Sequence, residues 1–172
     1  MSLSNIVTKS VVDCHVHLAA LPDQQNGCLI SPRMLKSPLF RFLLWKHDLP
    51  LRDPRQANQK YLDDLLVELC SSRYVGKAVL LGMDGVYDQH GRLDHQHTDF
   101  LVSKDYVLHA YPTELLAGVS INPRVESGAA LVKVLPNSQR FDPANHNYKA
   151  FYRAIAQHKI PLLSHVEHEF IV

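Results

Sequence analysis

The chain has 172 residues, 46% of them hydrophobic, which is enough for one domain with its own core. Eighteen basic and seventeen acidic residues give a net charge of +1, too little to attract nucleic acid or an anionic membrane surface. No apolar run approaches the ~20 residues of a membrane helix, and the first ten residues do not form a secretory signal. Three cysteines form neither a disulfide framework nor a zinc-ribbon spacing. These features predict a soluble cytoplasmic protein.

The apolar pattern alternates between buried strands and amphipathic helices. A helix is predicted around Leu62–Leu69 and another around Tyr148–Ile155, because their apolar residues recur at helical spacing. The polar, proline-bearing segment 22–58 is too long for an ordinary loop, so we interpret it as an inserted loop or cap. Five runs are predicted to be buried strands: Val11–Leu18, Lys77–Met83, Leu115–Ile121, Leu131–Leu135 and Pro161–Val166.

This alternation favours a parallel α/β sheet with both faces covered. Ligands of such sheets bind beyond the carboxyl ends of the strands. One connection does not fit, because only seven residues separate Pro123 from Leu131, too few for a crossover helix. Either the third and fourth strands are not parallel neighbours, or a helix is missing from this sequence.

Polar residues near the end of the first strand form the pattern Asp13, His15 and His17. Residues two apart in a strand share a face, so we expect the three side chains to point the same way. Two imidazoles at one strand end can converge on a divalent ion, and Asp13 could then orient the ligands through a hydrogen bond without touching the ion. A His-x-His pattern alone is weak evidence in a chain with eleven histidines, but its place at a strand end strengthens the metal interpretation.

Other candidate residues follow the later strands. His165 ends the fifth strand and would supply a third imidazole, the ligand number typical of catalytic zinc. Lys133 lies within the apolar fourth strand, where a lysine is costly unless it is paired or functional, so we consider it a catalytic or substrate-anchoring residue. His168 and Glu169 lie just beyond the fifth strand, and contact with substrate or an ordinary loop role are equally open for them.

These motifs resemble the amidohydrolase superfamily, in its amidohydrolase-related branch. The first-strand sequence Asp13-Cys14-His15-Val16-His17 is similar to the family's first-strand motif. Further similarity covers almost the whole chain, in the segments Ser31–Met34, Gly85–Asp88, Gly118–Pro123, Leu131–Ser138 and Leu162–His165.

The resemblance implies a parallel (β/α) barrel of the TIM type, of which this sequence holds about five of eight strands. It also implies one or two divalent ions, usually zinc, that activate water for hydrolysis. His15 and His17 match the first-strand ligands and His165 the fifth-strand ligand, while Lys133 lies where some members carry a carboxylated lysine. A full barrel takes about 250 residues. The family's sixth-strand histidine and its general-base aspartate have no counterpart here, so the sequence is expected to be incomplete.

Three functions remain open at this point. The first is a metal-dependent hydrolase that cleaves a C–N or C–O bond of a small molecule, although activity of this chain alone is in question. The second is a metal-dependent non-oxidative decarboxylase of the same superfamily. The third is a non-catalytic truncated remnant that folds with a partner or as a homo-oligomer. The sequence does not identify the substrate.

Overall fold

The computed structural model describes residues 11–109, 115–120 and 131–165. Its strands are β1 (Val11–His17), β2 (Leu29–Ile30), β3 (Val75–Leu81), β4 (Phe100–Leu101), β5 (Leu115–Ser120), β6 (Leu131–Val134) and β7 (Leu162–Ser164). Its α-helices are α1 (Pro32–Leu35), α2 (Pro38–Lys46), α3 (Pro54–Ser71), α4 (Lys104–His109) and α5 (Lys149–Gln157), and a 3₁₀ turn at His146–Tyr148 precedes α5.

Five strands form one parallel sheet in the order β1-β3-β5-β6-β7, and β2 pairs with β4 in a separate antiparallel sheet. The prediction of a partial TIM-type barrel is therefore wrong. Barrel closure requires every strand to have two neighbours. Within the described residues β1 pairs only with β3 and β7 only with β6, so the sheet is open and the architecture is a small mixed α/β fold.

The short connection before Leu131 does not prevent parallel pairing. Gly118, Val119 and Ser120 of β5 are in parallel register with Leu131, Val132 and Lys133 of β6. The idea that these two strands are not parallel neighbours is therefore wrong. The connecting residues 121–130 lie outside the described ranges.

The two faces of the parallel sheet are covered differently. One face packs against α3, α4 and α5 in a core that includes Leu80, Val132, Leu62, Val107 and Ile155. The buried cluster on the other face, formed by Val79, Leu81 and Leu131 with Leu116 and Leu163, contains only strand residues. Because side chains alternate along a strand, Lys133 and Leu131 lie on this second face, where the described helices contribute no residue to the buried cluster.

Close packing on the second face explains a glycine in β5. A Cβ atom on Gly118 would lie 2.6 Å from Val79 Cγ1 and 2.7 Å from Leu81 Cδ2. No larger residue fits without displacing these neighbours. On this face, the space beside Gly118 is therefore occupied by the side chains of Val79 and Leu81.

The segment 22–58 has a core of its own. It holds β2, α1, α2 and the start of α3, and its buried residues Ile30, Met34, Leu44 and Ala57 pack together with Leu21, which directly precedes the segment. Each helix begins at a polar cap followed by proline, and the cap side chains of Ser31, Ser37 and Asp53 accept backbone hydrogen bonds. The segment is thus a small folded unit, and its role as a cap on the domain stays a prediction.

The first strand differs most from its prediction. We expected a buried strand, but Val11 is 50% and Val12 is 45% exposed because β1 forms an edge of the sheet. The register between β1 and β3 shifts after Asp13. Asp13 pairs with Ala78 and Val16 pairs with Leu80, so β1 advances by three residues where β3 advances by two. This irregularity lies within the histidine motif and changes the direction of its side chains.

None of the described helices is both long enough and apolar enough to span a membrane.

Candidate functional site

The side chains of His15 and His17 meet at the end of β1. Their Nε2 atoms are 3.1 Å apart, and the ring centroids are 5.0 Å apart with planes tilted by 48°. Both side chains are exposed. The sequence spacing predicted that the two rings would lie close together, and the structure brings their Nε2 atoms to within direct contact.

Lys133 brings a third nitrogen to this pair. Its Nζ lies 3.3 Å from His15 Nε2, although the side chain is only 1% exposed. Neighbouring strands lie about 4.8 Å apart, so β1 and β6 are about 14 Å apart across β3 and β5 if the sheet is flat. Strand side chains stand roughly perpendicular to the sheet, so the contact requires the sheet to curve toward this face.

The separation of the two Nε2 atoms can be compared with that of two ligands on one metal ion. A neutral imidazole Nε2 offers either one proton or one lone pair, so His15 Nε2 cannot make a full hydrogen bond to both His17 Nε2 and Lys133 Nζ. Two imidazoles on one tetrahedral zinc ion at about 2.0–2.1 Å would have nitrogens about 3.3 Å apart. The observed separation of 3.1 Å is close to that value. It is also the length of a hydrogen bond between the two rings, so a shared divalent ion stays a prediction.

Asp13 does not share the histidine face. It is in register with Ala78 of β3, whereas His17 is in register with Leu81, three residues further along β3 and on its opposite face. Our expectation that all three side chains point the same way is wrong for Asp13, because of the register shift between them. Its Oδ1 accepts a hydrogen bond from the backbone N–H of His15 at 3.0 Å, which fixes the backbone that carries the first imidazole. Its role in orienting metal ligands stays a prediction.

In the described part of the chain, His165 does not form a three-residue metal site with His15 and His17. Its backbone N–H donates to the carbonyl of Val134 at 3.0 Å, which places it at the end of β7. Among residues 11–109, 115–120 and 131–165, no group of three or more His, Cys, Asp or Glu side chains is arranged to hold a metal ion. A third-ligand role for His165 stays a prediction. The predicted substrate residues His168 and Glu169 lie outside the described residues.

Sequence analysis missed Tyr61, which supports the histidine strand from α3. Its hydroxyl donates to the backbone carbonyl of His17 at 3.1 Å. Burial raises the pKa of Tyr61, so the hydroxyl keeps its proton at neutral pH. The signal in the sequence is weak: Tyr61 directly precedes Leu62 of the apolar helix face, and a half-buried tyrosine normally finds a partner for its hydroxyl.

A second polar pair follows β3. The Tyr87 hydroxyl donates to Asp84 Oδ1 at 2.7 Å, and the same carboxylate oxygen accepts from the backbone N–H of Gly85 at 2.8 Å. Burial, and then the charge of Asp84 and the hydrogen bond to it, raise the pKa of Tyr87 well above its usual range. The pair is therefore a neutral phenol beside a carboxylate. The Asp84–Tyr87 pair comes just after β3, the strand whose Leu81 is in register with His17.

No protein-family model, curated protein or solved structure matches this chain. The resemblance to the amidohydrolase superfamily, and the ligand roles it implies, therefore stay predictions. The geometry of the described residues is the basis for assigning a function.

Proposed function

We propose that the protein is a metal-dependent hydrolase that cleaves a C–N or C–O bond of a small molecule. The observation that supports this function is the convergence of His15 and His17 at the end of β1, with their two Nε2 atoms 3.1 Å apart. When bound there, a divalent ion, zinc being the first choice, would acidify a water molecule and polarise the bond to be cleaved.

The chain's own residues have distinct roles in this proposal. His15 and His17 would hold the ion through their Nε2 atoms, which requires both rings to carry their remaining proton on Nδ1. Tyr61 and Asp13 hold the backbone of the two histidines through hydrogen bonds of 3.1 Å and 3.0 Å. Lys133 places a hydrogen-bond donor beside the ligand pair, where its ammonium could hold an oxygen of the substrate. His165 is proposed as the third imidazole ligand.

We also propose a cytoplasmic location and a small-molecule substrate. The three cysteines, Cys14, Cys28 and Cys70, all lie within the described residues and form no disulfide. Proteins of reducing compartments keep cysteines in this state. Identifying the native compartment by fractionation, with immunodetection of the protein, tests this location directly.

An assay of zinc-loaded protein on a panel of simple esters, lactones and amides tests the function. We expect hydrolysis that a chelator abolishes and zinc restores, and that disappears in the double variant His15→Ala, His17→Ala. The matched control is His90→Ala, His158→Ala, since both of these histidines are exposed and lie outside the site. Equal hydrolysis in the wild-type protein and the site variant would overturn the proposal, and carbon dioxide release from carboxylates without hydrolysis would replace it with decarboxylation.

A further inference from the structure

The outer side of α2 exposes large apolar side chains. An α-helix turns by about 100° per residue, so Phe40 and Leu44 share the side that packs into the core beneath the helix. The opposite side carries Leu39, Phe42 and Trp45, which are 46%, 50% and 76% exposed. The rings of Phe42 and Trp45 are in contact, with centroids 5.8 Å apart. Folding of the chain therefore leaves one apolar side of this helix in water.

Basic side chains accompany this apolar side. Residues 32–46 contain no acidic residue and four exposed basic ones, Arg33, Lys36, Arg41 and Lys46. Arg33 forms an ion pair with a carboxylate, whereas none of the ion pairs among the described residues involves the other three cations. The net charge of +1, from which we predicted no attraction to an anionic membrane, is thus an average over unevenly distributed charges.

An apolar surface bordered by cations is complementary to an anionic bilayer. Helices that lie in a membrane interface present Trp, Phe and Leu to the acyl chains and carry Lys and Arg beside them. Arg41 and Lys46 lie on either side of Phe42 around the helix, where their long side chains can reach lipid phosphates. A second copy of this chain fits less well, because a twofold contact through this surface would bring like charges together. A protein partner would need a matching shape as well as acidic groups, whereas a fluid bilayer needs no matching shape.

We propose that the outer side of α2 binds the surface of a membrane that contains anionic phospholipids, with the helix parallel to the bilayer. Phe42 and Trp45 enter the boundary between headgroups and acyl chains, while Lys36, Arg41 and Lys46 bind lipid phosphates, each adding about a fivefold gain in affinity. The contact is peripheral, because the other side of α2 stays packed on the protein. The cytoplasmic leaflet carries such lipids, which agrees with the proposed cytoplasmic location. Binding requires neither a metal ion nor catalysis.

Trp45 is the only tryptophan of the chain, so its fluorescence reports on this surface alone. The full chain is titrated with vesicles of phosphatidylcholine alone and with vesicles in which about one third of the lipid is phosphatidylserine. We expect the anionic vesicles to shift the emission to shorter wavelength, brominated acyl chains to quench it, and neutral vesicles to bind at least about tenfold more weakly. Anionic vesicles that leave the emission unchanged, or equal affinity for both vesicles, would overturn the proposal and leave an acidic protein surface as the occupant.

Charge variants separate the local surface from the net charge of the chain. The test variant removes three cations of this surface: Lys36→Gln, Arg41→Gln, Lys46→Gln. The matched control removes the same charge from exposed positions of α4 and α5: Lys104→Gln, Lys149→Gln, Arg153→Gln. We expect the test variant to bind anionic vesicles about a hundredfold more weakly than the wild type and the control to change affinity by less than about threefold. Equal losses in the two variants would overturn the assignment to α2.

Apolar variants test whether the helix enters the bilayer. Leu39→Gln, Phe42→Gln removes two exposed apolar side chains and keeps Trp45 as the probe, so vesicle affinity should fall at least about tenfold. Val67→Gln, Tyr74→Gln removes two exposed apolar side chains elsewhere and should leave the affinity within about twofold of wild type. Far-UV circular dichroism checks that both variants fold. Unchanged affinity in the α2 variant would overturn the proposal, since charge alone would then account for the binding.

Discussion

Lys133 is the most informative single residue in the described core. It is the largest of the almost fully buried side chains, yet it lies in a strand whose other residues are apolar. Burying an amine costs several kcal/mol unless partners compensate, so an apolar residue would be the simpler choice for a strand of the core. The presence of a lysine here is therefore better explained by function than by stability.

Replacing Lys133 by Met tests this explanation. Methionine keeps most of the volume but loses the contact with His15 Nε2, so we expect the free energy of unfolding to fall by about 1–3 kcal/mol. Hydrolysis should fall at least a hundredfold. Urea denaturation and the ester assay measure the two effects, with Lys77→Met, an exposed lysine of β3, as the control. Full activity in Lys133→Met would contradict a functional role.

The histidine site could be predicted in part. The spacing of His15 and His17 is sufficient to predict two adjacent rings, because strand geometry is local. The displacement of Asp13 was not predictable, since it results from a register shift against β3 that depends on the partner strand. The contact between His15 and Lys133 was also not predictable, because residues 118 positions apart meet only through the curvature of the whole sheet.

At the scale of secondary structure, the apolar pattern predicted the positions of the strands better than it predicted which strands are buried. The run Leu131–Val134 is buried as predicted, whereas the equally apolar start of β1 is exposed. The difference is position in the sheet: β6 has a neighbour on each side and β1 has one. Strand order follows from long-range pairing, which a single sequence does not encode locally.

Asn58 joins α3 to the segment after β1. It is buried, and both of its amide hydrogen bonds go to the backbone of Leu21. Asn58→Ala leaves a buried N–H and C=O without partners, so we expect a loss of about 2–5 kcal/mol in the free energy of unfolding. Urea denaturation measures it, and Gln59→Ala, its exposed neighbour, should change stability by less than about 0.5 kcal/mol. Equal effects of the two variants would contradict the bracing role.

Asp99 joins α1 to β4 through a charged network. Its Oδ1 accepts from the Ser31 hydroxyl at 2.6 Å and from Arg33 Nε at 3.1 Å, and Arg33 also contacts Oδ2. The hydrogen bond from Arg33, then that from Ser31 and the charge of Arg33, lower the pKa of Asp99 against the opposing effect of burial. A carboxyl whose pKa is lower in the folded state stabilises the fold above its unfolded pKa of about 3.9, and the contribution disappears as pH falls through the folded value.

Asp99→Asn should therefore reduce stability at pH 7 and have less effect in acid. The network is partly exposed, so we expect a loss of no more than about 1 kcal/mol at pH 7. The difference between wild type and variant should shrink below about pH 4. Urea denaturation at neutral pH and in acid gives both values, and a difference that is the same under the two conditions would contradict the role of the ionised carboxylate.

At the scale of the whole molecule, the sheet has two edges, and the β1 edge carries few of the features that prevent edge pairing. Among the described residues no strand pairs with the outer side of β1, whose start exposes Val11 and Val12. Exposed apolar edges of this kind favour pairing with a further strand. The outer surface of α2 adds a second exposed apolar area, where Trp45 is 76% exposed and stacks against Phe42.

We therefore expect the protein to associate as its concentration rises, and Val12→Lys to weaken that association. A lysine on an edge strand disfavours edge-to-edge pairing because the charge would be desolvated in the new sheet. Analytical ultracentrifugation over a hundredfold concentration range measures the effect. Val67→Lys, on the exposed face of α3, is the control. Association that both variants weaken equally would point to a surface other than the β1 edge.

The central claim is that His15 and His17 share a divalent ion, and metal content with zinc affinity tests it most directly. Elemental analysis and competition with a chromophoric zinc chelator are applied to the wild-type protein, to His15→Ala, His17→Ala and to the control His90→Ala, His158→Ala. We predict close to one zinc per chain in the wild type and control, and at least a hundredfold weaker binding in the site variant. Equal zinc binding in all three proteins, or none in the wild type after reconstitution, would contradict the claim.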